Sequence, residues 1–125
     1  MGETVKLSAI VEALNLEVKA GSEKLHADVT GGYTGDLLSD VMANSTEGDL
    51  WITRQIHQNI IAVATLKEHA GIVLVQGSEP AKDTLEKAAA EGVPLLVSRL
   101  SGFETVGRIY NLIITDQGEK NLAEG

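Results

Sequence analysis

The stretch "GIVLVQG", residues 71–77, decides the fold of this chain. It is a nearly continuous aliphatic run bounded by glycines, without the alternation of polar and apolar residues that a half-exposed strand shows. Such a run is typical of a strand buried on both faces of a parallel sheet. The stretch "VPLLVS", residues 93–98, repeats this pattern farther along the chain. The sequence therefore predicts two buried strands in one sheet.

A third strand and a helix precede the first of these runs. The stretch "DLWIT", residues 49–53, is predicted to be a strand, and the segment 54–68 after it is apolar on most sides. Thr53 stands where a hydroxyl can cap the first turn of that helix. A helix that is apolar on most sides is expected to pack deeply against a sheet or to lie in an interface.

Two further helices complete the repeating pattern. One is expected from Pro80 to Gly92, because proline suits a first helical turn and glycine a helix end. Another is expected in "SGFETVGRIYNL", residues 101–112, with four side chains facing inward: Phe103, Val106, Ile109 and Tyr110. Strands alternating with helices over short connections predict parallel neighbouring strands joined by right-handed crossovers.

The front of the chain is less regular. A short amphipathic helix is expected over 5–15, and "LNLEVKAG", residues 14–21, alternates like a half-buried strand. The extended stretch 25–35 is interrupted by the Gly31–Gly32 pair, which permits an irregular backbone. Asp36 can cap a following helix with apolar residues on one face: Leu37, Leu38, Val41 and Met42. These front strands are expected to extend the sheet and to make its orientation mixed.

The predicted fold is therefore an α/β domain of three layers with a mostly parallel, mixed sheet. A chain of 125 residues suits one compact domain, so we expect residues 1–125 to form a single unit. The polar tail 116–125 is expected to be flexible.

Composition excludes several classes of function. The formal charge is −8 and aromatic residues make up 3% of the chain, so neither a basic stripe nor a stacking platform for nucleic acid is expected. Cysteine is absent, which excludes disulfides and thiolate chemistry. The N-terminal stretch lacks the pattern of a secretory signal, and no apolar segment approaches the roughly 20 residues of a membrane helix. We therefore expect a cytoplasmic protein without a membrane or nucleic-acid partner.

Polar side chains follow three successive strands of the predicted sheet. Because the carboxyl ends of parallel strands meet at one edge, where helix N-termini favour anions, these side chains form a candidate binding site for a phosphate or carboxylate. The candidate ligand-binding residues are Thr53, Arg54, His57, Gly77, Ser78, Arg99 and Ser101. Helix capping and solvation explain the same hydroxyls and arginines without a ligand, so both explanations stay open.

No catalytic or metal site is supported. The histidines lack a nucleophile-elbow motif beside them, and the chain has neither a Walker lysine motif nor a GxGxxG loop. Asp36 and Asp40 stand at i, i+4, a spacing that more often complements a helix dipole than it binds a cation. We expect no catalytic residues, no cofactor and no metal.

The stretch from "GDLWIT" through "AGIVLVQGSEPAKDTLEKAAAEGVPLLVS" to "SGFETVGRIY" resembles the DRTGG domain, and the resemblance is strongest over 36–111. "VKLSAIVEALNLEVKAG", residues 5–21, is similar to the start of the N-terminal domain of HPr kinase/phosphorylase, which shares this fold. The resemblance aligns the family's Asp-Arg with Ile56–His57 and its Thr-Gly-Gly with Val75–Gln76–Gly77, so only Gly77 keeps the signature.

The resemblance implies a non-catalytic regulatory module, commonly dimeric and in larger relatives placed beside nucleotide-sensing CBS modules. The leading hypothesis is therefore a homodimer that binds an anionic metabolite, a phosphorylated compound or an adenine nucleotide, at the strand ends. The alternative is an accessory subunit that binds a protein partner and no small molecule. Its contact surface would be the apolar helix 54–68 or the strand edge near Trp51.

Overall fold

The computed structural model describes residues 4–124, with side chains through Thr115. Its strands are β1 (Val5–Lys6), β2 (Glu17–Ala20), β3 (Asp28–Val29), β4 (Gly31–Thr34), β5 (Asp49–Thr53), β6 (Gly71–Leu74) and β7 (Leu95–Val97). Its α-helices are α1 (Leu7–Leu14), α2 (Leu38–Asn44), α3 (Asn59–Lys67), α4 (Lys82–Glu91) and α5 (Gly102–Glu124). The backbone is helical to Glu124 across the predicted tail, whose side chains lie outside the described residues.

The main sheet has five strands in the order β2-β7-β6-β5-β4. Strands β4 to β7 run parallel, and β2 pairs antiparallel with β7 at one edge. A short antiparallel ribbon of β1 and β3 stands apart from this sheet. The predicted mixed, mostly parallel sheet is therefore confirmed, and the front of the chain contributes both of its edge strands.

The sheet lies between two layers of helices. Leu50 and Ile52 of β5 pack in a core with residues of α1 and α5. Trp51, between them in sequence, points to the opposite face and packs with residues of α2, α3 and α4. Successive side chains of a strand alternate between faces, so a strand that is apolar throughout must be covered on both sides. The three-layer α/β architecture is thus as predicted.

Two predicted helix caps are wrong. Helix α3 begins only at Asn59, with five residues between it and the end of β5, and Thr53 does not cap it. Helix α2 has Leu37 at its N-cap, without a side-chain cap. The reason is a hydrogen bond between the two predicted capping groups, because the Thr53 hydroxyl donates to Asp36 Oδ1 at 2.7 Å. Each side chain therefore ties β5 to the end of β4 instead of closing a helix.

Two of the four side chains of α5 that were predicted to face inward are exposed. Ile109 is buried and Val106 packs against the core, but Phe103 and Tyr110 are 92% and 63% exposed. Ile109 and Ile113 carry the buried stripe of the helix. Positions 103 and 110 share one face at helical spacing and positions 106, 109 and 113 share another, so periodicity alone does not decide which stripe meets the sheet.

Candidate functional site

The carboxyl ends of the parallel strands lie along one edge of the sheet, as predicted. Gly35 and Asp36 follow β4, Arg54 follows β5, and Gln76 follows β6. Two adjoining cavities open there and share Asp36 and Arg54. The first, which we name the Ser78 cavity, has a volume of about 450 Å³ and is lined by Asp36, Arg54, Gln55, Ile56, Ser78 and Glu79. The second, the Gly102 cavity, has about 250 Å³ and is lined by Thr34, Gly35, Asp36, Ile52, Thr53, Arg54, Val75, Gln76 and Gly102.

Asp36 is the centre of the hydrogen bonds that build this site. Its Oδ1 accepts from the Thr53 hydroxyl at 2.7 Å and from the Arg54 backbone N–H at 2.8 Å. Its backbone carbonyl accepts from the Gln55 side-chain amide at 2.9 Å. Thr53 in turn accepts from the Gln55 backbone N–H at 3.2 Å. These bonds hold the segment after β5 against the end of β4, and they fix Asp36 and the backbone of Arg54, the two residues that line both cavities.

Some charged side chains around the site form ion pairs within the protein, and others do not. Glu79 forms an ion pair with Lys19 of β2 at 3.1 Å, and hydrogen bonds to Glu79 and then Glu17 raise the pKa of Lys19. Arg54 takes part in no ion pair within 4.0 Å among the described side chains. The site therefore presents one uncommitted guanidinium, with the carboxylate of Asp36 next to it in the lining.

The structure brings together only part of the predicted site. Thr53, Arg54 and Ser78 line the cavities. Gly77 has a φ of 65° and donates its N–H to the Ser98 carbonyl at 2.8 Å, so it shapes the turn after β6.

The other predicted residues lie outside the two cavity linings. The guanidinium of Arg99 is 83% exposed and lies 4.0 Å from Glu17 on the neighbouring strand β2. The Ser101 hydroxyl accepts from the Glu104 N–H at 3.1 Å, as an N-cap of α5 does. His57 is exposed in the segment before α3.

Sequence reasoning missed Asp36 and Glu79 as lining residues. The Gly31–Gly32 pair, expected to interrupt an extended stretch, lies inside β4 and pairs with β5. Gly31 stands where an added Cβ would lie 3.0 Å from a carboxylate oxygen of Asp49, so this position favours glycine for close approach. A signal was present, because "YTGD" places an acidic residue directly after an extended stretch.

A Ser–His pair lies away from this site and does not form a catalytic triad. The Ser45 hydroxyl donates to the Val41 carbonyl at 2.6 Å, so at its 2.8 Å contact with His69 Nε2 it must accept. His69 Nδ1 is buried without a hydrogen-bond partner in the described residues, so no carboxylate orients the ring. Burial lowers the pKa of His69, while the charge of Asp49 opposes this shift.

The described residues contain neither a metal-binding cluster nor a helix that could span a membrane. Among the described side chains, no three or more His, Cys, Asp or Glu residues are grouped so that they could hold a metal ion. In the described part of the chain, no helix combines the length and apolar character needed to cross a membrane.

The family of the chain follows from comparison with family models. The model of the DRTGG domain matches residues 9–112. The chain belongs to the DRTGG family. Among the positions that the resemblance aligns with the family signature, Ile56 lines the Ser78 cavity, and Val75 and Gln76 line the Gly102 cavity. His57 and Gly77 lie outside both linings.

A similar solved structure contains a DRTGG domain. It is the structure of the CBS and DRTGG domains of the regulatory region of Clostridium perfringens pyrophosphatase, complexed with the activator diadenosine tetraphosphate. The TM-score is 0.63 at 16% identity, and the match covers 80% of this chain and 44% of that chain. The chain thus spans less than half of that regulatory region, and the likeness shows a shared fold. None of the curated proteins compared with the chain matches it.

Proposed function

We propose that this DRTGG domain is a non-catalytic regulatory module that binds an anionic metabolite or adenine nucleotide in the Ser78 and Gly102 cavities. The observation that carries the proposal is the position of Arg54, which lines both cavities and has no ion-pair partner within 4.0 Å among the described side chains. A guanidinium binds phosphate and carboxylate oxygens in a bidentate manner. The nucleotide in the similar regulatory region supports this ligand class.

A ligand screen tests this function directly. We expect phosphorylated metabolites or nucleotides to raise the melting temperature of the purified protein, since a ligand at a hundredfold excess over its Kd adds about 2.7 kcal/mol to the free energy of unfolding. The Arg54→Ala variant should then lose at least about tenfold in affinity by calorimetry, as expected for a lost charge-assisted contact.

Arg108→Ala is the matched control, because Arg108 lies on α5 in a 3.0 Å ion pair with Glu104. Its affinity should equal that of the wild type. Arg99→Ala in the same series measures whether that predicted residue reaches the ligand. An affinity unchanged by Arg54→Ala would contradict the assigned site.

We also propose that the domain acts as a homodimer through the outward face of α5. Tyr110 and Ile114 are 63% and 46% exposed on this helix. The helix packs beside β4, the edge strand of the sheet, whose sequence "GGYT" carries no charge. An uncharged edge strand beside exposed apolar side chains is a surface on which a second copy can pair.

Mutation of this face tests the homodimer. Tyr110→Ser should weaken self-association in sedimentation velocity experiments. Leu66→Ser on α3 is the control, because Leu66 is 71% exposed on a different helix and should leave self-association unchanged. A monomeric wild-type protein at high micromolar concentration would contradict the homodimer.

The alternative, an accessory subunit without a small-molecule ligand, needs a different surface from the predicted ones. Trp51 is fully buried in the interior strand β5, and Ile60, Ile61 and Val63 of α3 lie in the core. The exposed face of α5 is the surface that favours this function. A flat ligand screen together with a stable heteromeric complex abolished by Tyr110→Ser would support it over the ligand-binding module.

A further inference from the structure

A third cavity extends the site toward α5. This Phe103 groove has a volume of about 380 Å³ and is lined by Thr34, Gly102, Phe103, Val106 and Gly107. It shares Thr34 and Gly102 with the Gly102 cavity, which in turn shares Asp36 and Arg54 with the Ser78 cavity. The three cavities therefore form one continuous surface along the strand ends.

The chemistry of the lining changes along this surface. Arg54 and Asp36 both line the Ser78 and Gly102 cavities and form the polar end of this surface, where Arg54 offers donors for a phosphate group. Asp36 uses Oδ1 for the protein, while Oδ2 takes part in no hydrogen bond among the described residues. An ionised carboxylate only accepts hydrogen bonds and repels a phosphate, so its ligand partner must be a donor such as a sugar hydroxyl. Acidic side chains bind ribose hydroxyls in this way in other α/β folds.

The other end of the surface is apolar and aromatic. Phe103 is 92% exposed beside Val106, and the helix residues next to them in the groove are glycines. Nucleobases stack on exposed aromatic rings, and absent side chains at Gly102 and Gly107 leave room at the helix surface. An exposed phenylalanine at this place is explained if a planar ligand group covers it.

We propose that the site binds a nucleoside monophosphate unit in one orientation, with its phosphate at Arg54, its ribose hydroxyls at Asp36 Oδ2 and its base against Phe103. This inference rests on the proposed function and deepens it, because it names the ligand class and the residue that contacts each part. It also predicts that a bare phosphate binds weakly, since the carboxylate of Asp36 lies beside the only uncommitted cation in the two cavity linings.

Calorimetry with four probes tests this orientation: AMP, 2′,3′-dideoxy-AMP, ribose 5-phosphate and inorganic phosphate. For the wild type, we expect AMP to bind at least about tenfold more tightly than the dideoxy compound and than ribose 5-phosphate, as expected for lost charge-assisted hydrogen bonds and a lost stack. Inorganic phosphate should bind most weakly.

Two variants assign the contacts. Asp36→Asn retains an oxygen for Thr53 and the Arg54 N–H. It removes a negative charge that acts on both ligands, so the expected result is that the affinities of AMP and its dideoxy analogue, at least about tenfold apart for the wild type, become nearly equal. Phe103→Ala should weaken AMP about tenfold while leaving ribose 5-phosphate unchanged. Thermal melts show whether each variant is folded, and the comparison of AMP with its dideoxy analogue on the wild type tests the ribose contact without a mutation.

The outcomes separate this inference from the proposed function. If AMP binds in an Arg54-dependent manner but equals its dideoxy analogue and is unaffected by Phe103→Ala, the orientation is overturned and the function stands. The same holds if another phosphorylated metabolite binds and AMP does not. If Phe103→Ala changes only self-association, the base contact is overturned. If none of the probes and no metabolite in the screen binds, both proposals fail.

Discussion

Single hydroxyl and carboxylate groups position the candidate site. Thr53 is 2% exposed, and its hydroxyl both donates to Asp36 and accepts from the Gln55 N–H. Replacement of a buried hydroxyl by a methyl group of similar shape removes both hydrogen bonds and leaves their partners unsatisfied. These contacts connect β5 to the end of β4, so their loss affects stability and site geometry together.

Thr53→Val tests this link. We expect the free energy of unfolding in urea to fall by about 1 to 2 kcal/mol, as for the loss of a buried hydrogen-bonded pair. Thr34→Val on the adjacent strand is the control, because Thr34 is exposed and its replacement should change stability by less than about 0.5 kcal/mol. Equal effects of the two variants would show that the Asp36 network contributes nothing.

His69 makes stability depend on pH. Burial lowers its pKa below the ordinary 6.5, so in the range below 6.5 the unfolded chain binds a proton that the folded chain rejects. Stability is therefore complete above pH 6.5 and falls as the pH drops through 6.5 toward the lower folded pKa. Its Nδ1 has no partner among the described residues, so a proton added there gains no hydrogen bond.

Melting curves between pH 7.5 and 5.0 test this dependence. The wild type should lose stability on acidification, and His69→Gln should lose less. His57→Gln is the control, because His57 is exposed, and it should keep the wild-type slope. The fluorescence of Trp51, the single tryptophan, reports unfolding from the core. Identical slopes for the wild type and His69→Gln would exclude His69 as the source.

At the scale of elements, two glycines differ in whether the structure requires them. Gly21 follows β2 with a φ of 76°, and an added Cβ would lie 2.5 Å from backbone atoms of Val93 and Pro94. Gly107 lies within α5 with nothing within 4 Å of an added Cβ. Position 21 requires glycine because of both its backbone conformation and its close packing. At position 107, glycine only lowers the helix propensity of α5.

The pair Gly21→Ala and Gly107→Ala therefore should act in opposite directions. Gly21→Ala is expected to cost about 2 to 4 kcal/mol, from a left-handed alanine and an overpacked contact. Gly107→Ala is expected to add about 0.5 to 1 kcal/mol through helix propensity. Chemical denaturation measures both. If Gly21→Ala left the free energy of unfolding unchanged, the end of β2 would be able to move away from the start of β7 without loss of stability.

At the scale of the whole molecule, the net charge of −8 opposes the proposed homodimer. The exposed face of α5 attracts a second copy through apolar contact, while the remaining surface repels it. Charge repulsion reaches about 30 Å in 0.01 M salt and about 10 Å in 0.1 M salt, because salt screens it.

Sedimentation equilibrium at two salt concentrations measures this balance. We expect the dissociation constant of the dimer to be several times smaller in 0.3 M than in 0.02 M sodium chloride. Tyr110→Ser should raise it at both concentrations. A dimer that weakens as salt is added would instead point to an interface made of ion pairs, and the apolar face of α5 would then not be the contact.

The sequence by itself determined the α/β class, the parallel order of the later strands and the edge that carries the cavities. These follow from local patterns, since "GIVLVQG" and "VPLLVS" are apolar enough to need cover on both faces and the connections are too short for other topologies. Arg54 and Ser78 were predicted as site residues because the ends of the strands can be located in the sequence. The same strands and helices carry the family resemblance.

Only the tertiary structure decided which groups meet. Thr53 and Asp36 are 17 positions apart and each suits a helix cap, but the pairing of β4 with β5 brings them within 2.7 Å of each other. Arg99 follows β7 and lies toward β2, away from the cavities. The exposed stripe of α5 is likewise set by its rotation against the sheet. The local sequence pattern determines which residues prefer burial. Packing between distant segments determines which face of a helix is buried and which polar groups pair, when the alternatives have similar free energies.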